Sequence, residues 1–141
     1  MQKRITNQLF LEKIISLYPN FTFRSGQKFK FRPQKTIYYS LSEIDNFPIL
    51  LLHELAHANL GHYSFETNLE RLKIESAAWE ETKNLCQKFN LSFSDDFAKT
   101  ELDTYRDWLH QKSLCQNCGL IRFETSDGNY HCPRCELLLK S

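Results

Sequence analysis

Phe47-Pro48-Ile49-Leu50-Leu51-Leu52-His53-Glu54-Leu55-Ala56-His57-Ala58-Asn59-Leu60-Gly61 decides how the rest of this 141-residue chain is read. Between Ile49 and Leu60 the polar positions are His53, Glu54, His57 and Asn59. A helix apolar nearly all round is a buried one, so the stretch predicts a central helix covered on every side. Pro48 suits a first helical turn and Gly61 a C-terminal stop. Polar side chains inside such a helix cost on the order of several kcal/mol unless something satisfies them.

The spacing says what that something is. His53 and His57, four residues apart, sit about 40° apart around a helix, so both imidazoles reach one ion. Glu54 points about 100° away from His53 and can touch a water on that ion without ligating it. Hydrolysis needs this arrangement, because zinc lowers the pKa of its water toward about 7. A neighbouring carboxylate then takes the proton and hands it to the leaving amine. We therefore expect His53 and His57 as ligands of a catalytic zinc and Glu54 as the catalytic base.

A third protein ligand must leave a fourth position for water or substrate. His62 follows closely, but the metzincin pattern places Gly three and His six residues after the second histidine. Here Gly61 is four and His62 five residues on, and the only methionine is Met1, so no Met-turn exists. On a continuing helix His62 would lie about 180° from His53. Residues 69–89 read as a further helix whose Leu72, Ala78, Trp79, Leu85, Cys86 and Phe89 share one face. Glu75 falls inside that stripe, whereas Glu70, Glu80 and Glu81 do not. A carboxylate facing a core needs a cation. That cation is the ion of the preceding helix, or else Arg71 or a lysine.

The stretch from Ile37 through Trp79 resembles the ImmA/IrrE-type metallopeptidase domain. In that family a strand precedes a His-Glu-x-x-His helix, a Gly-His often follows, and a Glu on the next helix completes the zinc site. Glu75-Ser76-Ala77-Ala78-Trp79 is similar to the family's Glu followed by an Ala-rich aromatic stretch. The resemblance implies His53, His57 and Glu75 as ligands, Glu54 as base, and a protein or peptide substrate such as a repressor or regulator. It also implies that Thr36 to Ser40 is an exposed edge to which a peptide adds. His62 and Tyr63 are auxiliary candidates, and oxyanion donors are sought among Tyr63, Tyr38, Tyr39 and His62.

Four of the five cysteines form Cys115-x-x-Cys118 and Cys132-x-x-Cys135. Ser126-Asp127-Gly128 between them marks a hairpin turn. Two such knuckles on a hairpin make a closed tetrahedral site, a zinc ribbon with a structural zinc. Cys86 sits on an apolar stripe and reads as core. In the ribbon Arg122, Arg134 and Lys140 are balanced by Glu124, Asp127 and Glu136, so direct nucleic-acid binding is not favoured.

Outward from these motifs, Ile5, Leu9, Phe10, Ile14 and Leu17 predict an amphipathic helix over 5–17. Phe21–Arg24 and Phe29–Arg32, around Ser25-Gly26-Gln27, predict a β-hairpin, and Thr36–Tyr39 a third strand. A last helix is expected from an N-cap at Asp95 or Asp96 to Gln111. Net charge is +1, but residues 1–50 carry eight Lys/Arg against three Asp/Glu. Much of that excess lies on the expected hairpin and reads as a solvated sheet face. No apolar run is long enough for a bilayer, and no signal peptide opens the chain, so a cytoplasmic protein is expected.

The reading is thus an α+β fold. A small three-stranded sheet packs on helices around the buried His-Glu-x-x-His helix (1–112), and a zinc-ribbon hairpin follows (113–141). The expected activity is a zinc metallopeptidase with a restricted protein substrate. Two alternatives stay open: a SprT-like protease acting on DNA-associated proteins, and a non-catalytic metal-stabilised interaction module. The SprT-like pattern needs a later His in a His-Gly context, and only His110 and His131 follow His62. Oligomeric state leaves no trace in the sequence.

Overall fold

The computed structural model describes residues 2–32, 35–62 and 64–140. In chain order they form α1 (Gln2–Leu17), β1 (Thr22–Ser25), β2 (Lys30–Arg32), β3 (Thr36–Tyr39), α2 (Phe47–Leu60) and α3 (Asn68–Lys88). There follow α4 (Asp95–Ser113), β4 (Phe123–Glu124), β5 (Tyr130–His131) and α5 (Pro133–Lys140). The fold is α+β with a small three-stranded sheet and helices. Packing divides it into two compact units, Met1–Ser64 with Ala77–Phe93 and Phe65–Ser76 with Ser94–Ser141. This division cuts across the one drawn from motifs, 1–112 and 113–141. The helix α3 runs unbroken through both.

The first unit is built around α2. Phe47, Leu51, Leu52, Leu55 and Ala56 are wholly buried, as the unbroken apolar run demands. They pack with Leu11 and Ile14 of α1, Ile37 of β3, and Ala78, Leu85 and Cys86 of α3. Burial pushes the Cys86 thiol above its ordinary pKa, consistent with a core residue. The α1 stripe differs from the one expected: Ile5 and Leu9 are exposed, and Asn7, Leu11 and Ile14 face inward. Asn7 is tolerated there because its amide donates to the Ile44 carbonyl at 2.9 Å.

The sheet corrects two expectations. Its order is β1-β3-β2, with β1 parallel and β2 antiparallel to β3, so β1 and β2 form no hairpin. A two-residue hairpin turn needs positive φ, and Gly26 is not among the glycines that adopt it. Four residues instead separate β1 from β2, and Phe29 leaves the strand to pack edge-on against Phe47 at 5.6 Å. Consequently β3 is the central strand, and Thr36 to Ser40 is not an exposed edge.

Among the residues whose burial is described, the second unit buries few hydrophobic side chains: Ala98, Cys115 and Cys132. Polar contacts organise it. The α4 N-cap is Ser94, whose hydroxyl accepts from the Phe97 N–H, and Asp95 and Asp96 fall in the first turn instead. Three hydrogen bonds converge on Asn68 at the start of α3. Its N–H donates to Glu124 at 2.7 Å, its amide to the Tyr130 hydroxyl at 2.8 Å, and its carbonyl accepts from Tyr105 at 3.2 Å. The β4–β5 hairpin carries the expected turn, with Gly128 at positive φ. The sequence reading did not anticipate α5, which begins inside the second cysteine knuckle at Pro133 and carries Cys135. Among the described residues no helix is long and apolar enough to cross a membrane.

Candidate metal sites

The last two turns of α2 carry His53, Glu54 and His57, each less than one-tenth exposed. The two histidines turn their Nε2 atoms toward each other, 3.2 Å apart. Two nitrogens held about 2.0–2.1 Å from one tetrahedral ion would stand about 3.3–3.4 Å apart. The pair is therefore already spaced for a shared ion. Glu75 completes the group: one ligand atom each from His53, His57 and Glu75 lie within 4.8 Å of one another. Trp79, one turn after Glu75 on α3, stacks its ring on His53 at 4.0 Å between centroids. Two imidazoles and a carboxylate are the donor set of hydrolytic zinc sites, which keep a fourth position open.

Each imidazole also has a contact on the nitrogen facing away from this point. His53 Nδ1 lies 3.4 Å from the Thr82 hydroxyl, and His57 Nδ1 lies 3.1 Å from His62 Nδ1. His62 arrives there because α2 stops at Gly61, which takes the left-handed conformation at φ 70°. The His62 N–H then closes the helix onto the His57 carbonyl at 3.0 Å. His62 thus contacts the back of His57, and the group that could hold a metal ion contains Glu75 and not His62. Tyr63 lies outside the described residues. Tyr105 of α4 has its pKa raised by burial, with Arg71 opposing and Glu75 reinforcing the shift. The Arg71 guanidinium rests over the Phe65 and Tyr105 rings.

The second group is Cys115, Cys118, Cys132 and Cys135. All four are free thiols, with Cys115 Sγ 3.7 Å from Cys135 Sγ and Cys118 Sγ 3.5 Å from Cys132 Sγ. Four sulfurs about 2.3 Å from one ion would stand about 3.8 Å apart. The backbone N–H groups of Cys118 and Asn117 lower the Cys115 pKa to about 6. Hydrogen bonding with Cys132 and then Cys115 pushes Cys135 up to about 12. The cluster ionises Cys115 readily and resists ionising Cys118 and Cys135, a conflict that a central cation would remove.

No family model, curated protein or solved structure matches this chain. What each group can do rests on its own chemistry. The cysteine group is closed by four protein donors, whereas the His/Glu group has three. Thr82 is the participant the sequence reading missed. It lies seven residues after Glu75, about 20° away around the helix, on the same stripe. A stripe defined by apolar residues alone passes over it.

Proposed function

We propose that the chain is a zinc-dependent metallopeptidase whose catalytic zinc is held by His53, His57 and Glu75, with Glu54 as general base. The Cys115, Cys118, Cys132 and Cys135 group is a zinc ribbon holding a structural zinc. The observation that carries the reading is the convergence of two imidazole nitrogens and one carboxylate beside a buried glutamate. The ImmA/IrrE resemblance supports it, since the same residues fall on that family's motif. The substrate is a peptide segment of a protein, with a regulator or repressor as the expected kind.

Zinc, when bound, supplies the Lewis acidity that makes water acidic and a peptide carbonyl electrophilic. The protein's own part is proton handling and exclusion of water. Glu54 is adjacent to His53 but stands at a different angular position of α2, the placement from which a general base touches an ion's water without ligating the ion. Burial of Glu54 at 8% exposure keeps bulk water from competing for that role.

The test is Glu54→Gln, assayed with a degenerate peptide library read by mass spectrometry at equal zinc content. General-base removal should lower cleavage about 10²–10⁴-fold while zinc stays bound. Cleavage by Glu54→Gln at the wild-type rate removes Glu54 from the mechanism.

A further inference from the structure

Thr82 is wholly buried on α3, and its one hydroxyl proton has a fixed destination. The hydroxyl donates to the Ala78 carbonyl at 2.6 Å, the back-bond that a threonine makes inside a helix. With that proton committed, the oxygen can only accept from a second partner. The partner at 3.4 Å is His53 Nδ1. Nδ1 must therefore carry the proton of the neutral ring, which leaves the lone pair on Nε2. Nε2 is the atom that faces His57 Nε2 across 3.2 Å.

His57 offers a contrast. Its Nδ1 meets another imidazole nitrogen, His62 Nδ1, and either of the two can donate. With the lone pair on His53 Nε2, the 3.2 Å contact between the rings asks His57 Nε2 to donate, so the His57 tautomer follows that of His53 and is not set by an oxygen of its own. At His53 the direction of the bond is dictated, and the Trp79 ring, stacked at 24° between planes, fixes the plane of the imidazole as well. Thr82, Trp79 and His53 all lie in the first compact unit.

We propose that Thr82 is a positioning residue for the metal site: its hydroxyl oxygen holds His53 in the Nδ1–H tautomer, so that Nε2 is presented as a ready ligand. The proposal rests on the His53–His57–Glu75 reading and adds a residue that neither touches the ion nor contacts substrate. Partners that orient a ligating histidine in this way typically change metal affinity about 10–100-fold when removed.

Two readouts test it in the full-length chain. The first is nitrogen-detected NMR of the His53 ring after the weaker metal site is emptied with dilute chelator, the ribbon keeping its zinc. Wild type and Thr82→Ser should show a protonated Nδ1 and an unprotonated Nε2. Thr82→Val, which keeps shape and removes the acceptor, should lose that preference. The second is zinc and cobalt affinity at the weaker site, measured by chelator competition. Thr82→Val should bind about 10–100-fold more weakly, with Thr82→Ser restoring most of the loss. A proton on Nε2 of His53 in the wild type overturns the proposal, and this readout needs no variant to fold. Unchanged affinity in a folded Thr82→Val overturns it too. If wild type binds metal only at the cysteine group, the metallopeptidase reading falls instead, and the tautomer measurement still judges Thr82.

Discussion

Glu75 and Thr82 occupy nearly one angular position on α3, yet one was legible in the sequence and the other was not. A carboxylate on an apolar stripe is an anomaly, because burying its charge without a cation is costly. A threonine there satisfies itself by bonding to the carbonyl four residues back and raises no alarm. His53, His57 and the four paired cysteines were legible for a simpler reason: their spacing is covalent, and local geometry carries it straight into space. Which carboxylate comes near the two histidines depends on packing, and the wheel projection hinted at Glu75. At this scale we predict that Glu75→Ala loses more than about 100-fold in affinity at the His site, exceeding the effect of removing an orienting partner. Metal counting after dilute chelator should then fall from two zinc per chain to one. Two zinc retained in Glu75→Ala would assign the third ligand elsewhere. A core substitution separates stability from chemistry. Leu55→Ala, at a wholly buried position between the two histidines in sequence, should cost about 2–5 kcal/mol in urea unfolding.

Elements were read well where one helix could bury its own pattern, and poorly where partners had to be chosen. The bounds expected for α2 and α3 differ from those observed by only one or two residues. The strands were found, but their pairing was not, since alternation shows that a strand exists and says nothing about its neighbour. The inserted β3 is a tertiary choice, made possible by a loop of four residues that is not a tight turn. The end of α2 shows the reverse case, in which one residue type fixes the geometry. Gly61 sits at φ 70°, where a Cβ is strained, and its turn aims His62 back at His57. Gly61→Ala should cost about 1–2 kcal/mol in thermal or urea unfolding, and Gly61→Asn less, since Asn tolerates the left-handed region. Equal stability of Gly61→Ala and wild type would mean that the cap relaxes to another conformation.

At the scale of the whole molecule, the two compact units depend on different forces. The first holds nearly all the buried aliphatic and aromatic residues and folds as a hydrophobic core does. The second leaves Phe65, Leu69, Trp108, Leu120, Ile121 and Phe123 exposed and, among the residues whose burial is described, buries only Ala98 and two cysteines as hydrophobic side chains. On the proposed zinc-ribbon reading, metal at the cysteine group supplies part of what so few buried apolar residues leave short against the conformational entropy of ordering the unit. Full removal of zinc with a strong chelator should therefore abolish amide-exchange protection in α4 and the β4–β5 hairpin, while α1 and α2 stay protected. Proton release gives the same cluster a second signature. With Cys115 near 6, that thiol is already ionised at pH 7, so zinc binding there should release fewer than four protons. As pH falls below about 6, Cys115 enters the metal-free state protonated, one more proton must leave, and affinity should drop more steeply. Calorimetry in buffers of differing ionisation enthalpy measures the count directly. Four protons released at pH 7 would show that Cys115 is not ionised beforehand, and α4 protection that survives chelation would show that the second unit does not depend on this metal.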